Sequence, residues 1–268
     1  MNLSALLEQQ FTLPSIPKVV ALLLAELDRT DIDLRKVTRL ISSDPALTTY
    51  VLRFANSEFA DLKGKIHSVS EALALLKLSQ VRATVQSAAG AVSVKAVPGI
   101  NLQQFWDYSL NVARVSRSLA TLVRLNQQAA FTCGLVHAIG EVAMLLHMSD
   151  QLAKFSAEIP PLDLRRAEAE REVFGFCYAS VGAGFARKWN LPQNMVDALE
   201  HQHAPFENNV YEPMAGVVHL ATWRARCKAS HLNEKGMAVT FPGSVGVALG
   251  LDIDMVLQEG PFDWAAHT

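Results

Sequence analysis

Phe131-Thr-Cys-Gly-Leu-Val-His137-Ala138-Ile-Gly140-Glu-Val-Ala-Met-Leu-Leu-His147 is a helix-length apolar stretch with one imidazole set in its middle. A neutral imidazole serves equally well as a hydrogen-bonded core residue or as a metal ligand, so its neighbour decides between the two. That neighbour is Ala138, whose methyl group has no lone pair to offer a hard cation. Glu141, one turn further on, is the nearest carboxylate, and at i+4 it is placed to orient or hydrogen-bond the imidazole.

The composition around this stretch fits a mostly helical chain. Half of the 268 residues are hydrophobic, ample for a sizeable core. A net charge of −2 gives no general attraction to nucleic acid or anionic lipid. The basic clusters Arg35/Lys36/Arg39 and Arg224/Arg226/Lys228 read as solvated surface. Met1 to Phe11 carries Glu8 and no basic segment, which argues against a signal peptide, and no apolar run approaches the length of a membrane span. Cys133, Cys177 and Cys227 are too far apart for a zinc ribbon or a disulfide framework. A reduced, cytoplasmic setting is expected, with neither nucleic acid nor membrane as a partner.

Upstream, the chain reads as a series of short amphipathic helices. Leu13-Pro-Ser-Ile-Pro17 is held extended by two prolines, and Val20, Leu23, Leu24 and Leu27 then fall at i, i+3, i+4 and i+7. Asp33 is placed to cap a helix over Leu34, Val37, Leu40 and Ile41 that closes near Ser42-Ser43. Asp44-Pro45 restarts the chain, Asp accepting from free N–H groups and Pro standing where none is needed; Leu47, Tyr50, Val51 and Phe54 form the stripe. Asn56-Ser57 and Lys63-Gly-Lys65 predict a loop from about Ala55 to His67. Ser68 and Glu71 make a capping box, each side chain satisfying the other's backbone donor, followed by Val69, Ala72, Leu73 and Leu76. A further helix starts near Ser79 with Val81, Val85 and Ala88, and Val97-Pro-Gly-Ile100 closes this half.

From Leu102 to about Arg124 the spacing predicts a long helix with Phe105, Tyr108, Val112, Val115, Leu119 and Leu122 facing inward. Beyond the central stretch, Ala179, Gly182, Ala183 and Ala186 give a small-residue face suited to close helix contact. Trp189-Asn-Leu-Pro192 ends that helix, and Met195, Val196 and Leu199 begin the next, which runs to His201-Gln-His203-Ala-Pro205. A polar helix end, where partial positive charge complements the dipole, explains these histidines as well as a site does.

Gly134-Leu-Val-His-Ala-Ile-Gly140 resembles the signature of the HD-type metal phosphohydrolases, in which adjacent His and Asp side chains hold one or two divalent cations. Leu13-Pro-Ser-Ile-Pro, Ile41-Ser-Ser-Asp-Pro-Ala-Leu-Thr, Leu52-Arg-Phe-Ala-Asn-Ser57, Phe105-Trp-Asp-Tyr-Ser-Leu, Trp189-Asn-Leu-Pro and His201-Gln-His-Ala-Pro205 follow in the order of the related HDOD family, an output domain of bacterial signalling proteins. The resemblance covers roughly residues 10–230. It implies an all-α fold: an N-terminal helical subdomain over 1–100, a multi-helical HD-like bundle over 101–230, and a helical tail over 231–268 packed on the bundle.

The same resemblance locates a depleted metal site. Tyr108 stands where the first metal-binding His is typical, Ala138 where the Asp is, Tyr178 where another His often stands, Gln202 and His203 at a His pair, and Thr222 at the final Asp. A phenol with a pKa of about 10 is a poor ligand at neutral pH. His137 and His203 are the remnant ligands, and no carboxylate is left. A catalytic metal needs about three protein ligands and a means of generating hydroxide, so no cofactor is expected. Tyr108, His137, Glu141, Tyr178, His201, His203 and Thr222 are the candidate ligand pocket.

The first functional reading is a non-catalytic signalling output or scaffold module that binds a partner protein or small ligand. The alternative is a metal-dependent phosphohydrolase acting on a nucleotide or cyclic dinucleotide, in which case a divalent metal is the cofactor. A third, a nucleotide sensor, has no glycine-rich phosphate loop behind it. No receiver or cyclase-like region accompanies this sequence, so input is expected from a separate signalling protein. Beyond Ser230, Phe241-Pro-Gly-Ser, Val245, Leu249, Leu251, Ile253, Val256 and Leu257 are expected to pack back as one or two short helices; homo-oligomer formation is the other role open to them.

Overall fold

The computed structural model describes residues 1–10, 12–58, 62–91, 97–206 and 211–257, and among these it contains helices and no strand. The N-terminal elements are α1 (Leu3–Glu8), α2 (Pro17–Leu27), α3 (Leu34–Ser42), α4 (Pro45–Glu58), α5 (Val69–Leu75) and α6 (Leu78–Ala91). The long α7 (Leu102–Leu122) leads into α8 (Gln127–Val136), α9 (Ile139–His147), α10 (Ser149–Glu158), α11 (Arg166–Phe174), α12 (Tyr178–Lys188) and α13 (Gln193–His201). Then come α14 (Pro213–Ala229) and three short helices, α15 (Glu234–Thr240), α16 (Gly243–Leu249) and α17 (Ile253–Leu257).

Polar side chains start these helices where the sequence places them. Asp33 accepts from the N–H groups of Arg35 and Lys36. Asp44 accepts from Leu47 N at 2.9 Å and, across the fold, from Ile16 N at 2.8 Å, so one carboxylate both caps α4 and fixes the proline segment before α2. Burial pushes that carboxyl up to about 6. Tyr50 donates to Leu13 O and the Trp106 indole N–H to Pro14 O, which ties the same segment to α7.

Several expectations are corrected. Helix α4 runs on to Glu58 instead of opening into a loop at Ala55, because the buried Asn56 amide serves the chain beyond it. Its N–H₂ donates to Leu52 O and Ile66 O, and its oxygen accepts from Ile66 N. In the capping box Ser68 accepts from Glu71 N, but Glu71 accepts from His67 N instead of Ser68 N. Leu34 and Leu122 are 53 % and 52 % exposed, since each sits at a helix end beyond the packed face. The tail forms three short helices among the described residues, not one or two. Gln127–His147 is long and apolar enough to cross a membrane, contrary to the expectation from sequence, but 89 % of an apolar 18-residue window within it is buried in the fold.

The central stretch is not one helix. It breaks at His137-Ala138, where Ala138 adopts φ −107° and ψ 13°, dividing α8 from α9. Two apolar interiors flank this break. One unites the N-terminal helices with α9 and α12 through Leu23, Leu47, Val85, Ile139 and Phe185; the other gathers α7, α8, α13, α14 and the tail around Val112, Cys133, Val217 and Val256. Against α9, helix α12 packs so closely that a Cβ on Gly140 would lie 2.0 Å from Tyr178 O and 2.6 Å from Gly182 N. The small-residue face of α12 is the reason two backbones can meet there.

Candidate functional site

The break between α8 and α9 sets the His137 ring in a fully buried position facing α7 and α14. Its Nδ1 lies 2.7 Å from Gly134 O and its Nε2 3.2 Å from the Tyr108 hydroxyl. A carbonyl only accepts, so Nδ1 carries the proton and Nε2 accepts from Tyr108 O–H. The phenol oxygen in turn accepts from Arg226 Nε at 3.2 Å. A single directed chain therefore runs Arg226 to Tyr108 to His137 to Gly134 O, and both ring nitrogens are committed within it. Burial lowers His137 to about 3, which keeps it neutral.

Arg226 was read as solvated surface and is instead 5 % exposed, on the inward face of α14. Its Nη1 donates to Asp163 O at 2.8 Å and its Nη2 to the Tyr178 hydroxyl at 3.4 Å. Desolvation raises both Tyr108 and Tyr178, opposed by the guanidinium beside them. The signal that would have found Arg226 lies in the spacing: His219, Thr222, Trp223 and Arg226 are i, i+3, i+4 and i+7 on one helix face. Arg224, off that face, donates to Val256 O in the tail, and Lys228 is exposed.

Glu141 does not touch His137. It is held instead by Arg166, a fully buried residue the sequence reading missed, which also lies 2.7 Å from Glu170 through Nε. Glu170 Oε2 accepts from Tyr178 N and so caps α12. Burial, then the neighbouring Glu141 charge, pushes the Glu170 carboxyl up, and Arg166 opposes this.

A cleft of about 160 Å³ opens above Arg226, lined by Tyr178, Gln202, His203, His219 and Thr222, with Thr240 and Pro242 of the tail at its wall. Of the predicted pocket, Tyr178, His203 and Thr222 line this space. Tyr108 and His137 lie beneath it in the hydrogen-bond chain, Glu141 lies behind with Arg166, and His201 at the end of α13 stands apart. Gln202 donates to His137 O and Leu199 O, and its backbone carbonyl lies 2.8 Å from His219 Nδ1. Desolvation, then the Arg171 charge, lowers His203 to about 4.

These residues do not fit a divalent cation. Among the described residues no three His, Cys, Asp or Glu side chains come together as a ligand set. Both nitrogens of His137 are engaged, Tyr108 and Tyr178 are held protonated, and a guanidinium stands where a metal would need compensating negative charge.

The model of the HDOD domain family matches residues 13–205. The fold is similar to the MmoQ response regulator of Methylococcus capsulatus, at 24 % identity and a TM-score of 0.71, covering 91 % of this chain and 96 % of that one. It is also similar to a Shewanella amazonensis protein provisionally named a phosphohydrolase, at 26 % identity and a TM-score of 0.55, covering 94 % and 90 %. An uncharacterised protein of Treponema pallidum is 25 % identical over 226 residues, 80 % of this chain; the chain spans only 42 % of that relative's length.

Proposed function

We propose, from the premise that this chain belongs to the HDOD domain family, that it is a non-catalytic signal-transduction module of the bacterial cytoplasm. It binds a signalling partner or a small ligand, which includes a nucleotide, and it does not hydrolyse it. The observation that carries this reading is the buried Arg226 guanidinium, hydrogen-bonded to the neutral phenols of Tyr108 and Tyr178, the positions where the family likeness expects metal-binding histidines. A cation there repels a metal and cannot generate a hydroxide from it.

A second reading, a metal-dependent phosphohydrolase of altered ligand set, is favoured by the likeness to the Shewanella protein. It needs at least one more carboxylate or free imidazole than the cleft offers. The test is to incubate the purified chain with manganese, iron or zinc and to follow phosphate release from nucleotides and cyclic dinucleotides. No release above the protein-free rate is expected. Release that disappears in His137→Ala would overturn the reading.

A further inference from the structure

We infer that the cleft above Arg226 is a binding site for a small oxyanion, a phosphate or carboxylate group, free or carried on a larger molecule. This deepens the binding-module reading and rests on it.

The first ground is the state of the Arg226 charge. A guanidinium has five N–H donors, and three are committed here: one to the Tyr108 hydroxyl, one to Asp163 O and one to the Tyr178 hydroxyl. One N–H on each terminal nitrogen is left over. All three acceptors are neutral, and among the described residues no carboxylate forms an ion pair with this side chain. The carboxylates whose charge reaches Arg226 are engaged elsewhere, Glu141 with Arg166 and Asp163 with Arg165. Burial opposes the charge, but the two phenols and the more distant Glu141 hold the guanidinium protonated, so its two spare N–H donors stay charged and open to an anion entering the cleft.

The second ground is independent of the first. Gln202 and Thr222 are 3 % and 8 % exposed and both line the cleft; Gln202 Oε1 has no hydrogen-bond partner, and the Thr222 hydroxyl lies against Tyr108 without forming a well-aligned bond to it. Buried polar atoms are rarely left so. The threonine hydroxyl can donate to an oxyanion, and the amide oxygen can accept from a protonated oxygen of the same group or from a hydroxyl beside it. His203, half-buried at the rim, adds a further ring nitrogen. The space, about 160 Å³, is below the roughly 300 Å³ at which small-molecule pockets begin. It suits one phosphate or carboxylate group, with the rest of any larger ligand outside.

The test uses the full chain in thermal unfolding and calorimetric titration, at constant ionic strength with chloride as the reference salt. Inorganic phosphate and formate are titrated in separate arms, with adenosine monophosphate as a carried phosphate. A saturable rise in the unfolding midpoint with at least one oxyanion is expected. It should be lost in Arg226→Met and weakened about tenfold in Thr222→Val, the scale of one hydrogen bond to a charged group. If Arg226→Met fails to fold, His203→Phe, which fills the cleft from its rim, must abolish the response. A response to phosphate alone or to formate alone supports the site and names its class. No saturable response in the unaltered chain, or one that His203→Phe and Thr222→Val leave unchanged, overturns the site. Saturable binding together with nucleotide turnover would keep the site and sink the non-catalytic reading; neither binding nor turnover would do the reverse.

Discussion

Gly140→Ala is the sharpest perturbation the fold offers, because helix propensity and packing oppose each other there. In an exposed helix the change would stabilise by up to about 1 kcal/mol. Here the new Cβ would lie 2.0 Å from Tyr178 O and 2.6 Å from Gly182 N, both backbone atoms that no rotamer change can move. Restoring ordinary contact near 3.4 Å means opening α9 from α12 by more than 1 Å, and a gap of 0.5–1 Å already forfeits roughly a quarter to a half of each contact's attraction. The loss should reach about 3 kcal/mol or more, the upper end for overpacked cores. The reciprocal change separates this cause from a general intolerance of side chains on the seam. A Cβ on Gly182 would meet Gly140 N only at 3.6 Å, so Gly182→Ala should fall within about 1 kcal/mol of the parent. Urea unfolding of both variants, with m-values compared, reads the difference. If Gly140→Ala resists urea as well as the parent, or if the two variants lose stability equally, the close-approach argument fails.

His137, neutral with its pKa lowered to about 3 by burial, contributes stability that is present above about 6.5 and lost as pH falls toward 3. By pH 5 the loss should be about 2 kcal/mol. In His137→Gln the decline between pH 8 and 5 should be shallower by that amount, and an unchanged acid limb would refute it. Arg166→Met leaves Glu141 and Glu170 buried together without their cation and should cost about 3–5 kcal/mol in chemical unfolding. Asn56→Ala orphans both Ile66 N and Ile66 O in the interior. That should cost about 3 kcal/mol, and amide exchange at Ile66 should become faster.

Most of the fold was legible because its helices announce themselves through spacing and caps. Asp33, Asp44 and Ser68 start helices as predicted, since a side-chain acceptor beside free N–H groups is a local matter. The break at His137-Ala138 was not, because the stretch carries no proline or polar turn cluster there and hydropathy is indifferent to a two-residue turn. The site was half legible. Tyr178, His203 and Thr222 could be placed from the family likeness, whereas Glu141 was assigned to the wrong partner. Sequence spacing shows that i+4 residues can meet, but not that a guanidinium from α11 offers the carboxylate a stronger partner than a neutral ring. Arg226 sits in a basic triplet that resembles solvated surface, although its spacing from His219, Thr222 and Trp223 places it on their inward face.

The family match ends at residue 205, yet Thr222 and Arg226 on α14 and Thr240 and Pro242 beyond it build the base and one wall of the cleft. The cleft is thus shared between two lengths of chain: Tyr178, Gln202 and His203 lie within the match, and the guanidinium, the threonine hydroxyl and the tail wall lie beyond it. Point changes at Thr222, Thr240 or Pro242 would alter that downstream wall alone, whereas trimming α14 would also empty the interior it shares with α7 and α8.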